Sequence, residues 1–70
     1  MHIIDVTPAQ GGWTVSSSIF ANPMAFLSGA KAEAAARNLA EKIARRGEAA
    51  EIRVFLRDGT LAGQSVARLV

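Results

Sequence analysis

Ser28-Gly29-Ala30-Lys31-Ala32-Glu33-Ala34-Ala35-Ala36-Arg37-Asn38-Leu39-Ala40-Glu41-Lys42-Ile43-Ala44-Arg45-Arg46-Gly47 is the stretch on which the fold turns. Alanine is the best helix former, and this segment is rich in it. Ser28 is placed to cap the first turn, because its hydroxyl can accept from an otherwise orphaned amide. Gly47 can adopt the left-handed conformation that closes a helix. A helix is therefore predicted from Gly29 or Ala30 to Arg46. At 100° per residue Ala32, Ala35, Ala36, Leu39, Ala40 and Ile43 share one face, and Glu33, Arg37, Glu41 and Arg45 share the other. The charged set alternates in sign at i, i+4 spacing, which supports the helix and marks its solvent side. Small side chains on the buried face let the helix lie close to a sheet, so the bulk of the interface must come from strands.

Strand signals lie on both sides of this helix. His2 to Val6 is short and β-branched. Pro8-Ala9-Gln10-Gly11-Gly12 then reads as a breaker and turn. From Trp13 the residues alternate: Trp13, Val15, Ser17 and Ile19 fall on one face, Thr14, Ser16, Ser18 and Phe20 on the other. Ala21-Asn22-Pro23 interrupts the chain, and Met24 to Leu27 forms either a brief third strand or an extended arm. After the helix, Ile52, Val54 and Leu56 alternate with Glu51, Arg53, Phe55 and Arg57. Asp58-Gly59 is a two-residue hairpin signal leading to a last strand from Thr60 to about Val66. Ala67-Arg68-Leu69-Val70 either extends that strand or frays. The order is ββ(β)αββ: an α+β domain of two layers, one helix on an antiparallel sheet of four or five strands.

Seventy residues allow one domain. Fourteen of the apolar residues are Ala, so large core side chains are few and the stability margin of so short a chain is thin. Hiding further apolar surface in a homodimer is an ordinary remedy. The absence of Cys excludes a disulfide scaffold and points to a reducing cytoplasm. Eight Lys and Arg against six Asp and Glu leave a formal charge of only +2, with most charges alternating along the helix rather than gathered for nucleic acid. Met1 to Asp5 shows no targeting pattern, and the longest run of large apolar residues is Val54-Phe55-Leu56, so no membrane association is expected.

Gly11-Gly12-Trp13-Thr14-Val15, Ala32-Glu33-Ala34 through Leu39-Ala40, and Ile52 to Leu56 closing on Asp58-Gly59 carry a resemblance. Together they resemble a family of short uncharacterised bacterial proteins with a Gly-Trp-x-Val strand, an Ala-Glu-Ala…Leu-Ala helix and an Asp-Gly hairpin. The resemblance spans about His2 to Leu61. It implies a fold and no activity, because its motifs are a turn, a core tryptophan, a helix face and a hairpin. The chain departs from the pattern in a longer, more apolar Ser16 to Met24 and in Arg45-Arg46-Gly47 after the helix.

Chemistry-bearing constellations are sparse. His2 is the sole histidine, and strand alternation sets it on the opposite face from Asp5, so neither a triad nor a zinc site is read there. Gly11-Gly12 lacks the helix and the Lys-Ser or Lys-Thr pair of a phosphate loop, and is a hairpin turn. Trp13 belongs to the core, under the helix. Arg37, Lys42, Arg45 and Arg46 interleave with glutamates on a solvated face. No catalysis, cofactor or metal is implied. One helix covers one face of a sheet, so the reverse face is expected to present Phe20, Arg53, Phe55 and Arg57. The leading expectation is a small non-catalytic interaction module. It would self-associate there as a homodimer, or take a protein partner, with Phe20 and Phe55 buried against the second copy. The alternative is a weak nucleic-acid binder that stacks bases on Phe55 between Arg53 and Arg57, with Arg68 as a further phosphate contact. Cover by the chain's own Ala21 to Leu27 arm is the remaining possibility.

Overall fold

The structure is a computed structural model that describes residues 1–68. Helix α1 spans Gly29–Arg45. The Ser28 hydroxyl accepts from the Lys31 N–H at 3.1 Å, which fixes the start of the helix. At the other end Gly47 takes φ 84°, its N–H reaches the Ala44 carbonyl at 2.9 Å, and the Glu48 N–H reaches the Ile43 carbonyl. Those two bonds are the Schellman arrangement that a left-handed residue permits.

The strands are β1 His2–Ala9, β2 Gly12–Ser17, β3 Met24–Phe26, β4 Ala50–Phe55 and β5 Leu61–Ala67, in sheet order β3-β2-β1-β4-β5. Helix and sheet form the two expected layers. Met24–Phe26 does form a strand, paired antiparallel with β2 through Trp13↔Phe26 and Val15↔Met24. One pairing departs from the antiparallel expectation, because β1 and β4 run parallel with Ile4↔Ile52 and Val6↔Val54. The cause is the helix. Two hairpin reversals make β3 run with β1, and the α1 crossover returns the chain to the starting end, so β4 runs the same way again.

Alternation then sorts the side chains. Ile4, Val6, Val15, Ala50 and Ile52 face the helix and are buried with Ala32, Ala36, Ala40 and Ile43. Trp13, Met24, Phe26, Leu39 and Val54 pack around them. Within β3, Met24 and Phe26 therefore lie on the covered side and Ala25 on the reverse, where Leu27 also borders Ala9 and Gly12. The Ala21 to Leu27 arm does not seal the open face.

Two local expectations shift. β1 continues through Pro8 to Ala9, and the turn is Gln10-Gly11 with Gly11 at φ 79°. Proline is tolerated because of its position. Ala9↔Gly12 flanks the turn, so the main chain of Pro8 points away from β2 and toward β4, where pairing has already ended at Val6↔Val54. The second shift is the last hairpin, which holds three residues rather than two. The Gly59 N–H bonds the Leu56 carbonyl, the Leu56 N–H bonds the Thr60 carbonyl at 2.8 Å, and Gly59 sits at φ 88°. This is a turn closed by a left-handed glycine. Leu69 and Val70, placed by the sequence in a strand extension or a frayed tail, lie outside the described residues.

Candidate binding cleft

The uncovered face is built from Asp5 and Thr7 of β1, Thr14 and Ser16 of β2, Glu51, Arg53 and Phe55 of β4, and Gln64 and Val66 of β5. Its polar groups are largely matched. Register sets Asp5 beside Arg53, and the guanidinium donates through Nε and Nη2 to both carboxylate oxygens at 2.8 and 3.0 Å. This forked contact raises the Arg53 pKa further above its ordinary value, chiefly through the Asp5 hydrogen bonds. The Thr7 and Thr14 hydroxyls pair at 2.8 Å, and the Gln64 amide donates to Glu51. Arg53 also lies over the Phe55 ring, 5.5 Å from its centroid, and so fixes one side of that ring.

Past Val6↔Val54 the two central parallel strands part. β1 stays paired with β2 as far as Ala9↔Gly12, and β4 with β5 as far as Phe55↔Leu61, but not with each other. A cleft of about 690 Å³ opens at their carboxyl ends. Phe55, Leu56, Pro8 and Ala9 form its apolar wall, and Gln10, Arg57 and Gly59 form its rim. Alternation along β1 turns the main chains of His2, Ile4, Val6 and Pro8 toward β4, as the His2 N–H to Ala49 carbonyl bond shows. Proline has no N–H to offer at the next rung, so the ladder stops and the space remains. Open sheets bind ligands at such points, where neighbouring parallel strands lead their connections in opposite directions. The volume falls within the ~300–1,000 Å³ typical of ligand sites.

Of the four residues expected on this face, three come together. Arg53 and Phe55 are in contact. Arg57 lies in the turn after β4 rather than in the strand row, yet it borders the same cleft. Phe20 does not join them. β2 ends at Ser17, and the Phe20 N–H closes a turn onto the Ser17 carbonyl at 3.1 Å, so strand alternation no longer applies to its side chain. Ser17 stands opposite Ile4, which places Phe20 at the other end of the sheet from Phe55. Reading residues missed Asp5, Thr7 and Pro8, because their role depends on β1 lying beside β4, and no local pattern announces that neighbour.

His2 bonds Glu48 at 3.2 Å near the start of β1, remote from the cleft. Among the described residues, no group of three or more His, Cys, Asp or Glu could hold a metal ion. Among them, too, no helix is long and apolar enough to cross a membrane.

Fold and cleft together define a two-layer α+β domain with an open-ended groove between diverging parallel strands. No family model, curated protein or solved structure matches the chain.

Proposed function

We propose that this chain is a small non-catalytic interaction module that seats an apolar group bearing a nearby carboxylate, supplied by a partner protein, in the cleft between β1 and β4. The observation that carries the reading is the cleft itself, with an apolar wall at Phe55 and Leu56 beside Arg57. That guanidinium makes no ion pair among the described residues. Arg53 positions the Phe55 ring, and its own charge is answered by Asp5. Binding rather than turnover is supported by the state of the reactive groups. Asp5 is tied to Arg53, the Thr7 hydroxyl is shared with Thr14, and the one histidine is at the far end of β1. A general base needs a free lone pair facing a substrate.

The resemblance to short bacterial proteins and a cytoplasmic setting belong to the same proposal, supported by the motifs and by the cysteine-free composition. Nucleic acid is less well served. Pairing of Arg53 with Asp5 leaves Arg57 as the one unmatched cation beside Phe55 among the described residues, and one side of the ring is already occupied. Self-association through this face also loses an aromatic contributor, because Phe20 lies elsewhere.

Amide shifts of the ¹⁵N-labelled protein test the proposal, with 4-phenylbutyrate, its uncharged amide and a thymidine oligonucleotide as probes. The carboxylate should move Gln10, Phe55, Leu56 and Arg57. Phe55→Ser should abolish the response, and Arg57→Gln should weaken it roughly ten-fold, as expected for loss of one charge-assisted contact. Silence at millimolar carboxylate refutes the reading. Equal response to the amide refutes the role of Arg57. Stronger, steeply salt-dependent shifts with the oligonucleotide transfer the site to nucleic acid.

A further inference from the structure

The two edges of the sheet differ. β3 is three residues long and follows Pro23, whereas β5 runs for seven residues, Leu61 to Ala67, without a charge or a proline. All of β5 but Ala67 is exposed, so the strand hangs on β4 with little of its own surface covered. Natural edges are normally blunted by charge, by proline or by brevity, because a bare row of N–H and C=O groups pairs with whatever strand arrives. Here β3 is blunted and β5 is not.

The Leu56 N–H to Thr60 carbonyl bond sets the phase of the β4–β5 ladder. Ala50↔Ala67, Ile52↔Ser65 and Val54↔Gly63 are then the hydrogen-bonded pairs, and the main chains of Gln64 and Val66 point outward from the sheet. The Gln64 side chain is drawn inward to Glu51, which leaves its backbone uncovered. A register shift after Val54↔Gly63 makes the chain irregular near Ala62, so the regular part of the edge is Gly63 to Ala67, centred on Ser65.

We propose that β5 pairs antiparallel with β5 of a second copy about a two-fold axis at Ser65, joining the two five-stranded sheets into one. Gln64 then exchanges both main-chain bonds with Val66 of the second copy, and the reverse. The two Ser65 side chains meet in a non-hydrogen-bonded pair, where side chains come closest and hydroxyls can bond across the strands. The β5 side chains on the helix side are Gly63, Ser65 and Ala67, all small. Glu33 and Arg37 stand over Gly63 and Ser65 around a hollow of about 150 Å³. An isologous contact of this kind closes at the dimer, because the only other edge is too short to propagate a filament.

The test combines sedimentation with amide exchange on the full chain. The wild type should sediment at twice its 7.4 kDa mass, and the Gln64 and Val66 amides should exchange more slowly as concentration rises. Gln64→Pro removes an outward N–H without touching the β4 ladder, a position where edge strands accept proline. It should give a folded monomer. Ser65→Lys puts like charges face to face on the axis and should do the same, which covers the case in which the proline variant fails to fold. Phe55→Glu should remain dimeric. A monomeric wild type overturns the proposal, and so does a folded Ser65→Lys that stays dimeric. A monomeric Phe55→Glu also overturns it, by moving the contact to the open face.

Discussion

Gly12 offers the sharpest test of how the sheet is packed. A Cβ built there lies 2.3 Å from the Phe26 carbonyl oxygen, whereas ordinary contact begins near 3.4 Å. The obstacle is backbone, so Gly12→Ala requires β3 to retreat by about 1 Å. Main-chain bonds of roughly 2.9–3.0 Å do not survive that displacement. Crowding of this kind costs about 1–3 kcal/mol, and the upper half applies because β3 cannot rotate away as a side chain could. The lost freedom of the unfolded chain returns about 0.4–1 kcal/mol. A net loss of about 2 kcal/mol remains, which at roughly 4–8 °C per kcal/mol for a domain of this size lowers Tm by roughly 8–16 °C. Trp13, the one tryptophan, pairs with Phe26, so its fluorescence follows the release of β3 while far-UV circular dichroism follows the whole fold. The control is the same substitution elsewhere. Gly63 has open space where its Cβ would be and no positive φ. Gly63→Ala should therefore raise stability by about 0.5–1 kcal/mol, through the ordinary penalty of glycine in a strand. A Gly12→Ala protein that melts within about 2 °C of wild type, or two variants that shift in the same direction, would refute the close approach of β3.

Ser28→Ala removes the helix cap and should cost about 1 kcal/mol, and Ser28→Asp should restore it; equal melting of all three proteins would deny the cap a role. Asp58 accepts from the Thr60 hydroxyl at 2.6 Å and from its N–H at 2.9 Å, and these bonds hold its carboxyl below the ordinary value. A depressed folded pKa contributes stability that is present above the unfolded value of roughly 3.9. That contribution is lost as pH falls through the lower folded value. Acid titration of stability should accordingly show a shallower loss below about pH 4 for Asp58→Asn than for wild type. Matching slopes would remove the hairpin carboxylate from the account.

Much of the architecture was legible because it is written in short-range physics. Helix α1 follows from alanine content, a serine cap and a glycine stop, all within twenty residues of one another. Trp13 under the helix and Phe55 on the opposite face follow from strand alternation, which holds as long as the strand does. Where the strand ends, the inference ends with it. Phe20 and Arg57 both continue an apparent alternation past the last paired residue, and both leave the row, Phe20 into a turn after Ser17 and Arg57 into the hairpin after Phe55. Pro8 shows the opposite case: a residue that reads as a breaker sits inside a strand, because the side on which its N–H is missing has no neighbour left to bond.

By itself the amino-acid order settled the helix and four of the five strands, the buried face of the helix, and the two sides of β2 and β4. These properties depend on the 3.6 and 2.0 periodicities of single segments and on cap and turn chemistry. Only the tertiary structure decided that β1 lies parallel to β4. That one adjacency brings Asp5 to Arg53 and Thr7 and Pro8 to the side of Phe55, and it opens the cleft where the two strands part. Its cause is the direction in which a helix returns the chain, a property of the closed globule to which no local run of residues refers. The bare edge of β5 is of the same kind, since a strand becomes an edge only when every other strand has found its place.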